Sequence, residues 1–468
     1  MSHPINIDHK GNISITLNLK LVFRLIVILG LTFGAYYIPL PGLEEGSRIC
    51  LMIFVGAAAL WTTETIPPFA TAIMVIVLSV FLLGQPDGPL GFDSSGYEVF
   101  INPVASPVLV LFFGGFVLAM GATKHGLDVR MARAFIKPFG THPRMVLLGI
   151  ILTTGVFSMF MSNTATTAMM IAIMTPLFKY FEGRHAFKNA MVLAIPFAAN
   201  IGGIGTIIGT PPNAVAASVM AGLGHPISFF KWMMIGVPFA GLMMIALWMI
   251  LIKSFKLRSD HFEVMFPEQL EVTWDLLVVV ITFGVTVTLW ITEPLHGLPA
   301  AVSALLPVMV FTVFGILDRH DLKRLDWDVL ILVAGGLTLG VAMKVSGLSD
   351  VLVQQLQFLH LGSVALLIII IMFSILISNF MSNTSAANLL IPIVTALAAI
   401  NPIVGAMGVA FACSLSMCLP ISTPPNAIAF ATQEIETRVM VKYGAIVSAI
   451  GVVLVVGMVF LLIQWSAF

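Results

Sequence analysis

Long apolar stretches, separated by short polar segments, make up most of the chain after residue 20. Because a helix that crosses a bilayer needs about 20 apolar residues, the pattern predicts an all-α polytopic membrane protein with about 11 transmembrane helices. The first stretch, near 20–39, follows a polar N-terminus and has no small-residue cleavage site. We therefore expect a retained helix rather than a removed signal peptide.

Several apolar stretches have lengths that do not fit a single span. Those near 103–122 and 329–343 are short and each contains a Gly-Gly pair, which favours two re-entrant hairpins at these places. Those near 145–181 and 363–400 are too long for one span, and a polar tripeptide interrupts each of them. Non-helical backbone at membrane depth is tolerated only where it lines an enclosed, hydrated cavity, so the broken stretches predict a transport path.

Five landmarks occur twice along the chain, in the same order and at offsets of 213 to 229 residues. Such self-similarity is typical of transporters built from two related halves. The pairs are Trp61-Thr62-Thr63-Glu64 with Trp290-Ile291-Thr292-Glu293, Gly114-Gly115 with Gly335-Gly336, Lys124 with Lys344, Met161-Ser162-Asn163-Thr164 with Met381-Ser382-Asn383-Thr384, and Thr210-Pro211-Pro212-Asn213-Ala214 with Thr423-Pro424-Pro425-Asn426-Ala427.

The distribution of charge predicts that the two halves have opposite orientations, because Lys and Arg concentrate in cytoplasmic loops. Segment 124–144 contains five basic residues and one acid, whereas segment 344–363 contains only Lys344 and Asp350 as charged residues. We expect the first segment in the cytoplasm and the second outside, which makes the repeat inverted. The basic residues near the start of the chain predict a cytoplasmic N-terminus.

The expected organisation has four parts. They are an N-terminal segment with the first helix at 1–47, a first inverted repeat at 48–226, a connecting helix and loop at 227–273, and a second inverted repeat at 274–468. The expected location is the cell membrane, multi-pass, as in a bacterial inner membrane protein.

Composition agrees with a membrane location and excludes several classes of function. Hydrophobic residues make up 59% of the 468 residues, charged residues make up 9%, and the mean hydropathy is +1.05. A soluble domain has about 25% charged residues, so membrane lipid is the expected surrounding. The formal net charge is zero and no long basic tract exists, which argues against nucleic acid as a partner. The three cysteines exclude a disulfide framework, and the apolar stretches lack the nucleophile or metal constellation of an enzyme.

The repeated Ser-Asn-Thr tripeptides offer hydroxyl and amide oxygens inside apolar surroundings, which suit a hard monovalent cation. Their donors, together with half-helix N-termini, suit a carboxylate. Four residues before Ser162 and Ser382 stand Ser158 and Ser378, which we expect one helical turn away on the same face. Each tripeptide is therefore a candidate site for both ions.

The repeated Thr-Pro-Pro-Asn segments predict a second break in each half. Prolines donate no N–H group, which leaves carbonyl groups exposed, and the small Gly209 and Ser422 just before the segment allow close approach. Each half is then expected to form one cage from two broken elements. The alternative is that the polar residues only join helices by hydrogen bonds and the prolines only kink them.

No Lys or Arg lies beside either tripeptide in the sequence. Bound sodium ions and helix dipoles are therefore the candidates for neutralising an anionic substrate. Glu64 and Glu293 end apolar stretches and are expected to cap or anchor helices, and Lys124 and Lys344 are expected to lie at helix ends with their ammonium groups reaching the membrane surface.

With these motifs the sequence resembles the divalent anion/sodium symporter family, whose members carry Krebs-cycle dicarboxylates, citrate or sulfate. The match runs from the second helix nearly to the end of the chain. The resemblance implies a homodimer with a scaffold domain and a mobile transport domain that moves as an elevator across the membrane. The hairpins and broken helices belong to the mobile part by this analogy.

The resemblance also implies the site residues. The first sodium site would be formed by Ser158, Ser162, Asn163 and the backbone around Gly209, and the second by Ser378, the backbone near Met381, Asn383 and Ser422. Substrate carboxylates would be held by Asn163 and Thr164 at one end and by Asn383 and Thr384 at the other, with Pro211 and Pro424 lining the pocket. The second half departs from the first. The glycine-rich segment before the first Thr-Pro-Pro-Asn motif, with Gly202, Gly203 and Gly205, has no glycine counterpart between Cys413 and Pro420.

The expected function is import of a C4-dicarboxylate such as succinate, malate or fumarate together with sodium. Exchanger members of the family are expected to carry basic residues at the sodium positions, where this chain has Ser, Asn, Gly and Ser. An exchanger of dicarboxylate or citrate without net sodium coupling, and a sodium/sulfate symporter, remain the alternatives. A channel is disfavoured because occluding hairpins fit alternating access better than an open pore.

Overall fold

The computed structural model describes residues 5–7, 13–15, 19–180, 185–255, 272–357, 362–397 and 400–464. Within these ranges the regular structure is helical, apart from an antiparallel pair of short strands, β1 (Ile5–Ile7) and β2 (Ile13–Ile15). The predicted all-α class is confirmed.

The first half of the described chain ends in a helix of 27 residues. Its helices are α1 (Leu19–Tyr36), α2 (Glu45–Thr63), α3 (Pro68–Leu83), α4 (Glu98–Ile101), α5 (Pro107–Lys124), α6 (Leu127–Ile136), α7 (Pro143–Ser158), α8 (Asn163–Tyr180), α9 (His185–Gly203), α10 (Pro211–Gly222) and α11 (Phe229–Phe255), with 3₁₀ turns at Asn102–Ala105 and Lys137–Phe139.

The second half ends in a helix of 28 residues. Its helices are α12 (Trp274–Ile291), α13 (Glu293–His296), α14 (Ala300–Ser303), α15 (Leu305–Val313), α16 (Arg319–Lys323), α17 (Trp327–Val345), α18 (Leu348–Gln357), α19 (Ser363–Ser378), α20 (Asn383–Ala396), α21 (Pro402–Ser414), α22 (Pro424–Ala431) and α23 (Thr437–Gln464).

Many of these helices have membrane dimensions. Among the described residues, seven helical segments are long and apolar enough to cross a bilayer, and five shorter apolar helices accompany them. The outer face of α1 is apolar and exposed, as expected for a helix that contacts lipid acyl chains. The chain is a multi-pass membrane protein.

The order of helices repeats between the halves. Each half contains a helix–turn–helix pair (α7–α8 and α19–α20), then a helix in two pieces (α9–α10 and α21–α22), then a long final helix (α11 and α23). Packing repeats as well: α10 contacts α20 and α21, while its counterpart α22 contacts α8 and α9. These reciprocal contacts are typical of two halves related by a two-fold axis.

The repeated Trp motifs make the same contact in both halves. Trp61 donates a 3.0 Å hydrogen bond from Nε1 to the carbonyl of Pro68, the first residue of α3. Trp290 donates a 3.0 Å bond to the carbonyl of Ala300, the first residue of α14. Glu293 accepts a 3.1 Å bond from the backbone N of Phe229, and this confirms its expected capping role, here at the start of α11.

The re-entrant hairpins predicted at 103–122 and 329–343 are wrong in position, because α5 and α17 run unbroken through their Gly-Gly pairs. The glycines serve close packing instead. A Cβ atom on Gly114 would lie 2.0 Å from the carbonyl oxygen of Ala304, and one on Gly335 would lie 2.4 Å from Cβ of Ala72. A glycine pair permits a close helix contact as well as a turn, and the hydropathy of the stretch does not separate the two.

The helical hairpins lie at the interrupted long stretches. Turns at 159–162 and 379–382 connect α7 to α8 and α19 to α20, and the second helix of each pair begins at the asparagine of a Ser-Asn-Thr tripeptide. The breaks predicted there are confirmed, and they place both tripeptides at the tips of hairpins.

Candidate functional site

One cavity lies where the broken elements of both halves meet. Its volume is 870 Å³, within the range of about 300–1,000 Å³ that is common for small-molecule sites. Both tripeptides and both Thr-Pro-Pro segments form its wall, through residues 162–164, 210–211, 382–384 and 422–425. The structure therefore brings together the four segments that the repeat singled out.

Four helices begin at the wall of this cavity. They start at Asn163 (α8), Pro211 (α10), Asn383 (α20) and Pro424 (α22), and all four residues line the cavity. The first turn of a helix carries N–H groups without intrahelical partners and a partial positive charge. This arrangement suits an anion.

The carboxylates at the cavity are Glu64, Asp326 and Asp328, and no Lys or Arg is present among the described residues that line it. Desolvation by the surrounding protein, together with the neighbouring Asp328 carboxylate, raises the pKa of Asp326 above its ordinary value. Among the described residues of the wall, the helix N-termini are the groups that offer positive potential to an anion.

In the first half, the end of α7 and the end of α9 meet beside the cavity. Ser158, the last residue of α7, donates a 2.5 Å hydrogen bond to Oδ1 of Asn163. A Cβ atom on Gly203, the last residue of α9, would lie 2.5 Å from the same Oδ1 atom, and one on Gly209 would lie 2.4 Å from the carbonyl oxygen of Gly203. The expected close approach at Gly209 is confirmed.

In the second half, the ends of α19 and α21 meet in the same way. Ser378, the last residue of α19, donates to Oδ1 of Asn383 over 2.9 Å. Ser422 donates to the carbonyl of Leu419 over 2.7 Å within the break. Met381 lies in the turn of the hairpin, where its sulfur accepts a bond from the hydroxyl of Thr62 over 3.9 Å.

The expectation that Ser158 and Ser162 share a helix face is wrong, and the same holds for Ser378 and Ser382. The chain turns between them, because α7 and α19 end at the first serine of each pair. Ser162 instead accepts a 3.2 Å bond from the backbone N of Ala165, and Ser382 accepts a 3.1 Å bond from that of Ser385. These two serines cap α8 and α20.

Thr164 and Thr384 line the cavity, one helix residue after each asparagine. Thr164 is exposed to the cavity, whereas Thr384 is buried. Pro211 and Pro424 open α10 and α22 as their first residues, a position where the missing N–H group costs no hydrogen bond. All six candidate substrate residues thus lie around one volume.

Two asparagines that sequence reasoning left without a role hold the breaks together. Asn213 donates from Nδ2 to the carbonyls of Gly203 (3.0 Å) and Thr206 (2.7 Å). Asn426 donates to those of Met417 (3.0 Å) and Leu419 (3.0 Å). Their position at the end of both Thr-Pro-Pro-Asn motifs was the available signal.

Asn200 connects the two halves, and no repeated motif marked it. Its Nδ2 atom donates a 3.1 Å bond to the hydroxyl of Thr423, in the break of the other half. The side chain is buried and belongs to the wall of the cavity. The equivalent position in the second half is Cys413, so self-comparison gives no signal for it.

Comparison with known proteins gives one family. The profile described as citrate transporter, CitMHS, matches residues 58–406. The chain is 30% identical over 461 residues to the sodium-dependent dicarboxylate transporter SdcS of Staphylococcus saprophyticus, covering 90% of this chain and 87% of that protein. It is also 30% identical over 450 residues to the proteins of the same name from Staphylococcus aureus, with 87% and 84% covered.

Solved structures give the same kind of fold. The YdaH transporter of Alcanivorax borkumensis aligns with a TM-score of 0.57 at 12% identity, covering 85% of this chain and 98% of that one. MtrF of Neisseria gonorrhoeae aligns with a TM-score of 0.53 at 12% identity, covering 86% and 96%. At this level of identity the likeness concerns the fold alone.

Proposed function

Because this chain belongs to the divalent anion/sodium symporter family, a family of transporters and not of enzymes, we propose that it is a sodium-coupled symporter of C4-dicarboxylates such as succinate, malate and fumarate. The relatives named sodium-dependent dicarboxylate transporters support both the ion and the class of substrate.

The direction of the helices around the site is the observation that carries this proposal. Four helix N-termini, the positive ends of the helix dipoles, border the cavity. Four C-termini, the negative ends, lie at two oxygen clusters. The first cluster contains Ser158 and Asn163, where α7 and α9 end, and the second contains Ser378 and Asn383, where α19 and α21 end. The N-termini favour an anion and the C-termini favour cations.

The residues divide between the two ions accordingly. Ser158, Ser162, Asn163 and the backbone at Gly209 are the proposed ligands of a first sodium ion, and Ser378, the backbone at Met381, Asn383 and Ser422 are those of a second. Asn163 with Thr164 and Asn383 with Thr384 are the proposed partners of the two substrate carboxylates, with Pro211 and Pro424 as the walls between them. Each asparagine then belongs to a sodium site and to the substrate site at once.

We propose an elevator-type mechanism in a homodimer, with the inverted repeats at 48–226 and 274–468. The hairpins and broken helices of both halves pack against each other through α10 with α20 and α22 with α8, which supports their movement as one body. The helices α5 and α17 carry no part of the oxygen clusters and fit a stationary scaffold.

An exchanger without net sodium flux is the second candidate. It requires a positive charge in the protein that replaces sodium near the substrate. Ser, Asn and Gly residues occupy the cation positions, and the described cavity wall contains no basic side chain, so sodium coupling is favoured.

Uptake of labelled succinate into proteoliposomes tests the proposal. An inward sodium gradient is compared with potassium at the same pH, and with vesicles preloaded with succinate. Accumulation above equilibrium in sodium alone is the expected result. Uptake only into preloaded vesicles, independent of sodium, would establish exchange, and citrate and sulfate are then tested as substrates in both formats.

A further inference from the structure

The second oxygen cluster contains the hydroxyl group of Ser416, where the first half has a glycine at the equivalent position. Ser416 is fully buried in the break after α21. At the offset of the Thr-Pro-Pro-Asn repeat, its counterpart in the first half is Gly203, which has no side chain. The two halves therefore present different atoms at the same place beside the asparagine.

Ser416 is in contact with the oxygens already assigned to the second cluster. Its Oγ atom lies 3.0 Å from Oγ of Ser378 and 2.8 Å from Oδ1 of Asn383. It also lies 2.8 Å from the carbonyl oxygen of Cys413, in the last turn of α21. Ser378 contacts the same two acceptors, Asn383 over 2.9 Å and Cys413 over 3.1 Å.

These four oxygens have more lone pairs than hydrogens to share. Five oxygen–oxygen contacts of 3.1 Å or less join them, but only the hydroxyls of Ser378 and Ser416 supply hydrogens, one each. At most two of the five contacts are hydrogen bonds at any moment. The others bring lone pairs together in a buried place, and a cation between the oxygens relieves that repulsion.

Helix direction adds to this preference. The carbonyl of Cys413 belongs to the C-terminal turn of α21, and Ser378 ends α19, so two negative helix ends point at the cluster. The first cluster also has two helix ends but carries hydrogen in place of the Ser416 hydroxymethyl group. An extra oxygen ligand raises the affinity of a site for a hard cation.

We propose that the Ser416 hydroxyl is a direct ligand of the second sodium ion, and that it makes this site the tighter of the two. The inference rests on the proposed sodium coupling and goes beyond it, since it assigns a ligand to one half only and an order of affinity to the two sites.

The experiment compares Ser416→Ala with Ser414→Ala in purified protein. Ser414, the last residue of α21, is also buried, but its hydroxyl donates to the carbonyl of Ala410 over 3.0 Å and not to an oxygen of the cluster. Equilibrium binding of radioactive sodium and the sodium dependence of the melting temperature are measured, with potassium as the ionic-strength control. In wild type, two classes of sodium site are expected.

Loss of a ligand to a charged ion weakens binding by about tenfold or more. We therefore expect Ser416→Ala to weaken the tighter class by about tenfold while the melting temperature in potassium stays at the Ser414→Ala value. Ser416→Gly, which restores the residue of the first half, is expected to behave alike and serves if the alanine variant fails to fold.

Sodium binding that is unchanged in both Ser416 variants overturns the assignment of Ser416 as a ligand. The proposal of sodium coupling still stands in that case, provided that wild type binds sodium. An equal fall of melting temperature in sodium and in potassium assigns Ser416 to packing and also overturns it. Wild type that binds no sodium overturns the coupling proposal itself.

Discussion

At the scale of single residues, Asn163 and Asn383 are the side chains on which both proposed ions depend. The Oδ1 atom of each accepts a hydrogen bond from a serine hydroxyl of its oxygen cluster, Ser158 for Asn163 and Ser378 for Asn383. Both residues also line the cavity, at the first position of a helix. An alanine at either position removes an amide from both sites together.

We expect Asn163→Ala and Asn383→Ala each to lower succinate uptake by about 100-fold, since each loses polar contacts to charged partners worth about 1.5–3 kcal/mol apiece. Uptake into proteoliposomes measures this, and size-exclusion profiles check that the variants remain folded. Asn102→Ala, at an exposed asparagine outside the cavity wall, is the control. Wild-type uptake by either purified cavity variant would contradict the site assignment.

Asp326 is the residue at which pH is expected to act on the site. Its raised pKa means that it takes up a proton at a higher pH than an ordinary aspartate, and protonation removes a negative charge from the wall of the proposed anion site. Asp326→Asn should therefore strengthen succinate binding at pH 7.5 by about twofold, the size of a solvent-screened charge effect. The advantage over wild type should shrink as the pH falls through the raised pKa.

Succinate binding to Asp326→Asn and wild type is measured from about pH 4, near the ordinary pKa of an aspartate, to pH 8. Both proteins meet the same protonation of succinate, so their ratio isolates the carboxyl group. Asp350→Asn, at an exposed aspartate outside the cavity, is the control. A ratio that stays constant across this pH range would contradict an effect of the Asp326 charge on succinate binding.

The residues that the sequence predicted are those that occur in repeated motifs. The tripeptide asparagines and the Thr-Pro-Pro segments combine polar chemistry with apolar surroundings, which is visible without a structure. Ser416 and Asn200 were not predictable, because each differs from its counterpart in the other half and stands in an otherwise ordinary apolar segment. Only the folded chain brings Ser416 within 2.8 Å of Asn383.

At the scale of elements, the Gly-Gly pairs show how one motif serves two neighbours. The first glycine of each pair packs against Ala304, between α14 and α15, or against Ala72 in α3. The second faces the site elements, where a Cβ atom on Gly115 would lie 3.2 Å from the side chain of Ile208, in the first break. One on Gly336 would overlap the side chain of Asn388 in α20.

Gly335→Ala should destabilise the protein, because the new methyl group must displace backbone and Cβ atoms of Ala72 that lie 2.4 to 2.8 Å away. Overpacking of this kind costs about 1–3 kcal/mol. Thermal unfolding in detergent should show a lower midpoint than for Gly284→Ala in α12, where nothing lies within 4 Å. Equal midpoints for the two variants would mean that α3 and α17 adjust without cost.

The hairpins lie in the two longest apolar stretches, where the hydropathy pattern does not show that one stretch contains two helices. Each apolar stretch at 145–181 and 363–400 is really two helices of 14 to 18 residues with a four-residue turn. The polar tripeptide marked the break correctly. Whether the chain turned back there or continued depends on packing against α9 and α21, which the local sequence does not encode.

At the scale of the whole molecule, the two halves are tied together through the site. Asn200 of the first half bonds Thr423 of the second, and Lys188 at the start of α9 forms an ion pair with Glu434, just after α22. The offsets between landmarks predicted two related halves, and the reciprocal packing agrees. The sequence did not predict this hydrogen bond and this ion pair between the halves, because neither joins residues of a shared motif.

Since Asn163 and Asn383 each belong to a proposed sodium site and to the proposed substrate site, the two ions should bind with positive coupling. Bound sodium orients the amides and supplies positive charge to a cavity whose described wall has no basic side chain. We expect sodium, relative to potassium, to strengthen succinate binding by at least about tenfold, a coupling free energy of about 1.4 kcal/mol. Equilibrium dialysis at several sodium concentrations measures it.

Linkage requires that succinate strengthen sodium binding by the same factor, which isothermal titration of sodium with and without succinate checks independently. The coupling should weaken in both Asn163→Ala and Asn383→Ala, because each variant lacks one of the two asparagines that the sodium sites share with the substrate site. If succinate binds equally well in sodium and in potassium, the two oxygen clusters are not energetically coupled to the cavity. The reciprocal test therefore decides whether the opposed helix ends of the two halves act as one coupled site.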